Sequence, residues 1–271
     1  MNTSRYFPTL LEGFLLYVLV MALNVGFNML PFLDLSAWFT WESITLFNHL
    51  FAFGITSAIG LLFYSKRSGP IREIFKKGDF CWCMTPSLIT LSLLAPIVLW
   101  PINALLLPEE LYDFFTDIYS SKSIMLFLAL VITGPFLEEL LFRGLILNGY
   151  LKHTNPLPAI VFSTLLFAFS HLIPSQVMAA TIIGAGIGWL YYKTGSIIPA
   201  LVVHVTFNLA NYLLRFVYTP DEISALLRSE RGFITGVSPL LLWSVALVLT
   251  VLIATYLYRQ VRAHTFPLMD Q

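Results

Sequence analysis

The sequence has little charge and almost no cysteine. Asp, Glu, Lys and Arg together make up 11% of the 271 residues, whereas about 25% is usual in a soluble domain. The formal net charge is zero and no long basic run is present, which excludes an electrostatic nucleic-acid-binding surface. Hydrophobic residues make up 58% of the chain. These proportions predict a protein whose main partner is the lipid bilayer, with no nucleic-acid partner.

The two cysteines, Cys81 and Cys83, are separated by one residue. A zinc site built on cysteines needs a second pair of ligands, and two cysteines cannot build a disulfide scaffold. We therefore interpret them as incidental thiols near the start of a helix. The sequence also lacks a His-Glu-x-x-His motif and a Gly-x-Ser-x-Gly elbow, which argues against a zincin and a serine hydrolase.

Apolar segments of roughly 20 residues, the length that a helix needs to cross a bilayer, recur along the chain. Hydropathy predicts eight of them, at 9–30, 43–64, 86–107, 123–149, 156–172, 175–193, 196–217 and 238–259. We therefore predict an all-α membrane protein, a polytopic bundle of about eight transmembrane helices with short connections. Residues 1–271 would form a single transmembrane domain. The connections 70–80 and 109–120 place apolar residues opposite charged ones and are predicted to be interfacial helices.

The basic residues lie mainly on one side of this predicted topology. The connection between spans two and three carries Lys66, Arg67, Arg72, Lys76 and Lys77. The connections one–two and three–four are acidic, with Lys122 as their one base, while Arg215, Arg228 and Arg231 in the connection seven–eight are an exception. The positive-inside rule then places both termini in the cytoplasm, and the protein in the plasma (inner) membrane if the cell is prokaryotic.

Span four carries three charged residues where the bilayer should be: Glu138, Glu139 and Arg143. One charge at the centre of a spanning helix costs at least about 2.5–3.5 kcal/mol, so the group needs a functional or structural reason. Glu139 and Arg143 are four residues apart and can pair on one face. Glu138 lies roughly 100° around the helix. We interpret the Glu139–Arg143 pair as a brace and Glu138 as the working carboxylate.

Two further polar positions lie in predicted spans: His171 at the end of span five, and His204 with Asn208 on one face of span seven. Ionisable groups inside a membrane usually face a shared cavity and mark a functional site. The combination suggests hydrolysis. Glu138 would be the general base for a water that His171 helps to hold, and His204 and Asn208 would donate to the oxyanion.

Other chemistry could use the same residues. Glu138, His171 and His204 could bind zinc with water in the fourth position, but Asn208 is a poor zinc ligand, so we favour catalysis that requires no cofactor. A serine nucleophile is disfavoured because Ser170 and His171 are adjacent and point apart on a helix. A proton-coupled transporter could relay protons through Glu138 and His171, but the sequence shows no internal repeat.

At these residues the sequence resembles the CPBP family, which comprises type II CAAX prenyl endopeptidases, their bacterial relatives and bacteriocin-immunity proteins. The family motifs are Glu-Glu-x-x-x-Arg, Phe-x-x-x-His and His-x-x-x-Asn. They are present in that order as Glu138-Glu139-Leu-Leu-Phe-Arg143, Phe167-Ala-Phe-Ser-His171 and His204-Val-Thr-Phe-Asn208. The resemblance covers about 120–215, which we take as the catalytic core.

The resemblance implies an eight-helix intramembrane endopeptidase with a conical cavity open to the cytoplasm. Glu138 would be the base, His171 would hold the water, His204 and Asn208 would form the oxyanion hole, and Glu139 and Arg143 would hold the base in place. The substrate would be a hydrophobic peptide or lipidated protein, with CAAX-type processing at its C terminus as one form of the reaction. A non-catalytic bacteriocin-immunity or peptide-binding role is the alternative. One expectation conflicts with the predicted spans, because Glu138 and His171 should hold the same water and therefore lie at the same depth. Measured from the cytoplasmic end of its own span, Glu138 would lie at roughly 17 Å and His171 at roughly 22 Å.

Overall fold

The computed structural model describes residues 6–28, 39–228 and 236–264. Within these ranges the chain forms ten helices and no strand. In chain order they are α1 Leu10–Asn28, α2 Trp41–Arg67, α3 Thr85–Leu106, α4 Tyr112–Ser120, α5 Ile124–His153, α6 Pro156–Phe169, α7 Pro174–Thr194, α8 Ile198–Leu213, α9 Pro220–Leu227 and α10 Pro239–His264.

Five of the ten helices in the described ranges are long and apolar enough to cross a membrane: α1, α2, the helix Trp82–Asn103 that includes most of α3, α5 and α10. Predicted spans five, six and seven are the helices α6, α7 and α8, which fall short of that length or apolarity. The prediction of an all-α membrane bundle is confirmed, whereas the number of eight spans stays a prediction.

The helices are arranged antiparallel, so the bundle has two distinct ends. Hydrogen bonds at one end join Phe7 to Ser68, His153 to Tyr6, Asp79 to Thr194 and Gln260 to Cys83. We call this the basic end because it carries Lys66, Arg67, Arg72, Lys76, Lys77, Lys152, Lys193, Arg259 and Arg262. The first and last described residues of the chain lie there.

The opposite end contains the C-terminal ends of α1, α3, α6 and α8. Its elements are joined by hydrogen bonds from Asn48 to Asn24, Ser121 to Glu42 and Tyr212 to Ser123. We call it the acidic end because it carries Glu42, Glu109, Glu110, Asp113, Asp117, Asp221 and Glu222. The two ends therefore differ in charge as the sequence indicated.

The long helix α5 changes its winding on both sides of the charged motif. Wide π-helical stretches at Leu128–Thr133 and Leu140–Leu147 flank the α-helical segment Gly134–Glu139. Pro135 has no N–H to give to the preceding turn, which favours such a local irregularity. Side chains bond carbonyl groups of the first stretch: Thr133 Oγ1 donates to Leu128 O at 2.9 Å. Short π-helical stretches inside α-helices are frequent at functional sites.

The predicted interfacial helix at 70–80 is wrong. The segment holds one short 3₁₀ turn, Ile71–Glu73, and otherwise turns back against the bundle. Ile74 is buried there, and the Asp79 N–H donates to Thr194 O at 2.7 Å. The tight return requires Gly78, whose φ is +56° and whose position leaves no room for a Cβ beside Thr194 O.

The predicted helix at 109–120 is present as the 3₁₀ turn Glu109–Leu111 followed by α4. Phe115 is buried on its inner side, and Phe114 is exposed. The short helix α9 packs against α4. Hydropathy did not predict it because its eight residues are too few to register as a membrane span. Both short helices lie at the acidic end.

The interpretation of the cysteines as two separate thiols is wrong as well. Cys81 and Cys83 are joined by a disulfide just before α3. The bond closes a loop with a sequence separation of only two, so it holds no distant elements together. The exclusion of a disulfide scaffold is unaffected.

Candidate functional site

A cavity of about 340 Å³ opens in the half of the bundle toward the acidic end. Four of the predicted site residues line it: Glu138, His171, His204 and Asn208. Glu139 and Arg143 lie directly behind the cavity wall and are 0% and 1% exposed. The fold thus brings the three sequence motifs together from α5, the turn after α6, and α8. Their catalytic roles remain predictions.

The cavity and the described chain termini lie at opposite ends of the bundle. Its lining includes Phe115, Ile118 and Tyr119 of α4, which is an element of the acidic end. Two sequence-based expectations therefore exclude each other. A cavity open to the cytoplasm requires the acidic end to be cytoplasmic, whereas the positive-inside rule places the basic end and the termini there.

Glu138 projects into the cavity from the end of the short α-helical segment of α5. It is 8% exposed, and its Oε2 atom has no hydrogen-bond partner among the described residues. Its nearest ionisable neighbours are two imidazoles: His49 Nε2 lies 3.8 Å from Oε1, and His204 Nε2 lies 3.9 Å from Oε2. Both distances exceed a direct hydrogen bond and leave a gap that a water can bridge.

The ion pair predicted between Glu139 and Arg143 is present, with 3.1 Å between Glu139 Oε1 and Arg143 Nη1. The same oxygen lies 2.7 Å from Nδ1 of His204. Arg143 Nη2 donates to Gly184 O at 3.2 Å, and its guanidinium lies 4.3 Å from the ring centre of Phe167. Among the described residues the pair makes no ion contact with Glu138 within 4.0 Å. The brace therefore contacts His204 rather than the predicted base.

His171 follows the last turn of α6, and its Nδ1 lies 3.1 Å from Phe167 O. Because a carbonyl only accepts, Nδ1 carries the proton and Nε2 is left as an acceptor in the neutral ring. The depth conflict is resolved by the helix ends. α5 extends to His153, which is 15 residues after Glu138, and α6 begins at Pro156, which is 15 residues before His171. The two residues therefore lie at similar depth.

The depth of His204 also depends on where its helix begins. Ser196 and Ile197, just before α8, are 0% and 1% exposed, so this helix starts inside the bundle rather than at its surface. Asn208 lies one turn further along, and its Nδ2 donates to Leu130 O at 2.7 Å, in the π-helical stretch of α5. One amide N–H remains for another acceptor, since a side-chain amide has two.

Sequence reasoning missed His49, near the start of α2. Its Nδ1 lies 3.1 Å from Thr45 O, which leaves Nε2 as the atom that faces Glu138. The ring stacks on Phe53 at a centroid distance of 5.8 Å. The available signal was an ionisable residue inside a predicted span, but no motif spacing linked position 49 to position 138.

The zinc alternative stays a prediction, and the spacing of its proposed ligands can be compared with a zinc shell. In the part of the chain that the structure describes, the only group of three or more possible metal ligands within 4.8 Å of one another is Cys81, Cys83 and His264, at the basic end. Glu138, His171 and His204 form no such group. Zinc bonds of 2.0–2.2 Å would need their ligand atoms about 3.5 Å apart. The observed arrangement of these three residues is therefore wider than a zinc shell.

Comparison with protein families identifies the segment that carries the site. Residues 120–210 match the family model of the type II CAAX prenyl endopeptidase Rce1-like proteins. This segment is similar to an Rce1-like domain. It includes the three motifs from Glu138 to Asn208, and the resemblance drawn from those motifs is confirmed. No curated protein and no solved structure matches the chain.

The Rce1-like domain comes from a family of CAAX-type peptidases, and with the long apolar helices it supports an integral membrane protease. The match covers about a third of the chain. Helices α1, α2 and α3 lie outside it, yet they supply Asn24, His49 and Asn103 to the cavity lining. The division of the chain into one transmembrane domain with a core at 120–215 stays a prediction.

Proposed function

We propose that the chain is a membrane-embedded endopeptidase in which Glu138 activates water. The observation that carries the proposal is a buried carboxylate that faces a cavity with one oxygen unbonded among the described residues. Such a group destabilises the fold, so its presence favours a chemical role. A water could bridge Glu138 Oε2 and His204 Nε2, which are 3.9 Å apart, or Glu138 Oε1 and His49 Nε2, which are 3.8 Å apart.

In the proposed reaction, Glu138 removes a proton from this water while the water oxygen attacks the carbonyl carbon of the scissile peptide bond. His171 Nε2 accepts a hydrogen bond from the same water and orients it. The carbonyl oxygen becomes an oxyanion in a tetrahedral intermediate. The C–N bond then breaks, and Glu138 returns the proton to the leaving amine. The products are a new carboxylate and a new amine, and no redox or metal step is needed.

Stabilisation of the oxyanion requires donors from α8. The second amide N–H of Asn208 is one of them. His204 can donate from Nε2 only as an imidazolium, because its Nδ1 already faces Glu139. Two carboxylates flank this ring, Glu139 at 2.7 Å and Glu138 at 3.9 Å. Glu139 and Arg143 would thus act by positioning His204.

The proposed substrate is a hydrophobic or lipidated peptide processed near its C terminus, as the CAAX-type family suggests. The cavity supports this class because apolar side chains such as Phe53, Leu99 and Phe207 line it beside the polar ones. Its volume of about 340 Å³ suits a few residues of extended chain rather than a folded domain.

The proposed orientation follows the charges. Nine lysines and arginines at the basic end favour the cytoplasmic side, with both termini there. The cavity then faces the opposite side of the membrane, which in a prokaryote is the outer face of the plasma membrane. A substrate would reach Glu138 from that face or from within the bilayer.

The proposal is tested with the purified protein, a farnesylated peptide ending in a CAAX sequence and the same peptide without the lipid. Mass spectrometry of the products locates any cut. We expect cleavage that a strong chelator does not slow, because no cofactor is required. Loss of activity with the chelator and its recovery with zinc would instead support the site of Glu138, His171 and His204. Binding without cleavage would favour the non-catalytic peptide-binding alternative.

A further inference from the structure

The wall of the cavity carries a cation that the proposed chemistry does not use. Arg215 lies just after α8, in the 3₁₀ turn Leu214–Phe216, and is 3% exposed. It lines the same cavity as Glu138. The sequence singled it out only as an exception to the charge distribution. Its position places a guanidinium between the catalytic residues and the acidic end.

The contacts of Arg215 are with neutral groups. Its Nε donates to Tyr212 O at 2.5 Å, its Nη1 donates to Ser121 O, and its guanidinium carbon lies 3.6 Å from the ring centre of Tyr212. These bonds use two of the five guanidinium N–H groups. No carboxylate lies within 4.0 Å of it among residues 6–28, 39–228 and 236–264. A buried charge of this kind is costly unless an anion pairs with it.

The helix register relates Arg215 to the proposed oxyanion donors. His204, Asn208, Asn211 and Arg215 follow one another at spacings of four, three and four residues, so they lie along one face. From Asn208 the chain rises about 1.5 Å per residue to the helix end at Leu213 and about 2.0 Å per residue in the 3₁₀ turn that follows, which places Arg215 about 11 Å further along. Three residues of extended peptide span a similar distance of about 10 Å. If the scissile carbonyl of a bound peptide lies at Asn208, the third residue after the scissile bond reaches Arg215.

A side pocket of about 80 Å³ adjoins this part of the cavity and shares Asn103, Tyr119, Gln176 and Asn211 with it. Its other walls are mainly apolar, with the aliphatic Leu107, Leu214, Ile223, Leu226 and Leu227 beside Trp100 and the hydroxyl of Ser175. Burial raises the pKa of the Tyr119 phenol, while the nearby Arg215 acts in the opposite direction. Arg215 lines the main cavity and not the side pocket, so the cation and the apolar walls are on neighbouring surfaces that share Tyr119 and Asn211. This set suits a carboxylate that follows an aliphatic side chain.

We infer that Arg215 binds the C-terminal carboxylate of the peptide substrate, so that the cleaved peptide bond lies no more than three residues from that terminus. The inference rests on the proposed peptidase function and assigns a subsite to it. The guanidinium can give a carboxylate two parallel N–H donors, and the aliphatic pocket takes the side chain beside it. The site would therefore reject peptides whose terminus is blocked or lies further away.

The first test needs only the unmodified protein. Equilibrium binding is measured for a fluorescent tripeptide Ala-Leu-Leu as the free acid, as the C-terminal amide, and as the amide with glutamate in the last position. We expect the free acid to bind about 10- to 100-fold more tightly than the simple amide. Equal binding of acid and amide would overturn the inference. Equal binding of the acid and the glutamate amide would show that any carboxylate suffices and would overturn the assignment to the terminus.

The second test compares Arg215→Gln with Arg228→Gln, a matched control whose arginine is exposed at the acidic end and pairs with Asp113 at 3.3 Å. We expect the first variant alone to lose the preference for acid over amide while it still binds the amide as the unmodified protein does. Retention of the preference in Arg215→Gln would refute the assignment. Binding of the amide reports that the variant is folded.

The same tripeptides separate this inference from the peptidase proposal, because they are bound and not cut. If no longer peptide is cleaved but the acid preference depends on Arg215, the subsite stands and the peptidase function fails. If longer peptides are cleaved equally as acids and amides, the peptidase function stands and the subsite fails.

Discussion

Oε1 of Glu139 lies 2.7 Å from Nδ1 of His204 and 3.1 Å from Nη1 of Arg143. One buried carboxylate oxygen thus holds a cavity imidazole and a buried guanidinium together. The three side chains come from α5 and α8, and their burial makes both contacts strong. This arrangement resembles the way in which a carboxylate orients and charges the histidine of a hydrolytic triad.

Glu139→Gln should separate the two roles of this carboxylate. The amide oxygen can still accept from His204, so we expect turnover to fall partially, by about 10- to 100-fold, because a neutral amide holds the ring more weakly than a carboxylate does. Arg143 loses its partner as well, and breaking a buried pair costs about 3–5 kcal/mol. Initial rates and thermal unfolding in detergent measure the two effects. A variant that is fully active and as stable as the unmodified protein would contradict the positioning role.

The sequence predicted the ion pair between Glu139 and Arg143, but it did not predict the contact of Glu139 with His204. A spacing of four residues on one helix is a local rule, and it placed Glu139 beside Arg143 correctly. His204 lies 65 positions away from Glu139 in the sequence. No periodicity relates the two, so the sequence alone led to a brace on Glu138 instead. The family motifs named residues that the fold brings together, while the contacts between them required the packing of α8 on α5.

His49→Gln tests the residue that sequence reasoning missed. Its Nε2 faces Glu138 at 3.8 Å. Because Nδ1 bonds Thr45 O, Nε2 is the hydrogen-bond acceptor of the neutral ring. We expect turnover to fall roughly tenfold, because Glu138 loses a neighbouring ring nitrogen that a water can bridge. His153→Gln is the matched control, since His153 bonds Tyr6 O at the basic end. Equal activity of the two variants would exclude a role for His49.

Gly184→Ala tests the packing around Arg143. A Cβ at position 184 would lie 3.0 Å from the Phe167 ring and 3.1 Å from Arg143 Nη2. We expect a loss of about 1–3 kcal/mol of stability, because the guanidinium and the ring cannot both move away in a packed core. Gly186→Ala, on the same helix with no atom within 4 Å of its Cβ position, should be neutral or stabilising. Thermal unfolding that ranks the two variants in the opposite order would refute this account of the packing.

The features that the sequence could not predict share one physical origin. Ile74 anchors the segment 70–80 to the bundle by burial, which overrides its amphipathic pattern. The depth of His171 depended on helix ends, which hydropathy places only within several residues. Arg215 was visible as a charge, but its place in the cavity follows from the 3₁₀ turn after α8 and the bond to Ser121. Each of these depends on contacts between distant parts of the chain.

Labelling of single cysteines in intact cells tests the orientation. In a background in which Cys81 and Cys83 are replaced by serine, Lys122→Cys reports the acidic end and Lys77→Cys the basic end, and both positions are exposed. A membrane-impermeant maleimide should modify position 122 and leave position 77 unmodified until the cells are lysed. The reverse pattern would place the cavity on the cytoplasmic side and refute the proposed orientation.

The central claim is that Glu138 is present for chemistry rather than for stability. Glu138→Gln keeps the shape and removes the charge, and the peptide-cleavage rate and the thermal unfolding temperature are measured on the same preparation. We predict that cleavage falls by about 100- to 10,000-fold. The unfolding temperature should stay the same or rise, because a buried carboxylate without a hydrogen-bond partner for Oε2 is removed. Undiminished cleavage, or a loss of activity only in parallel with a loss of stability, would contradict the account.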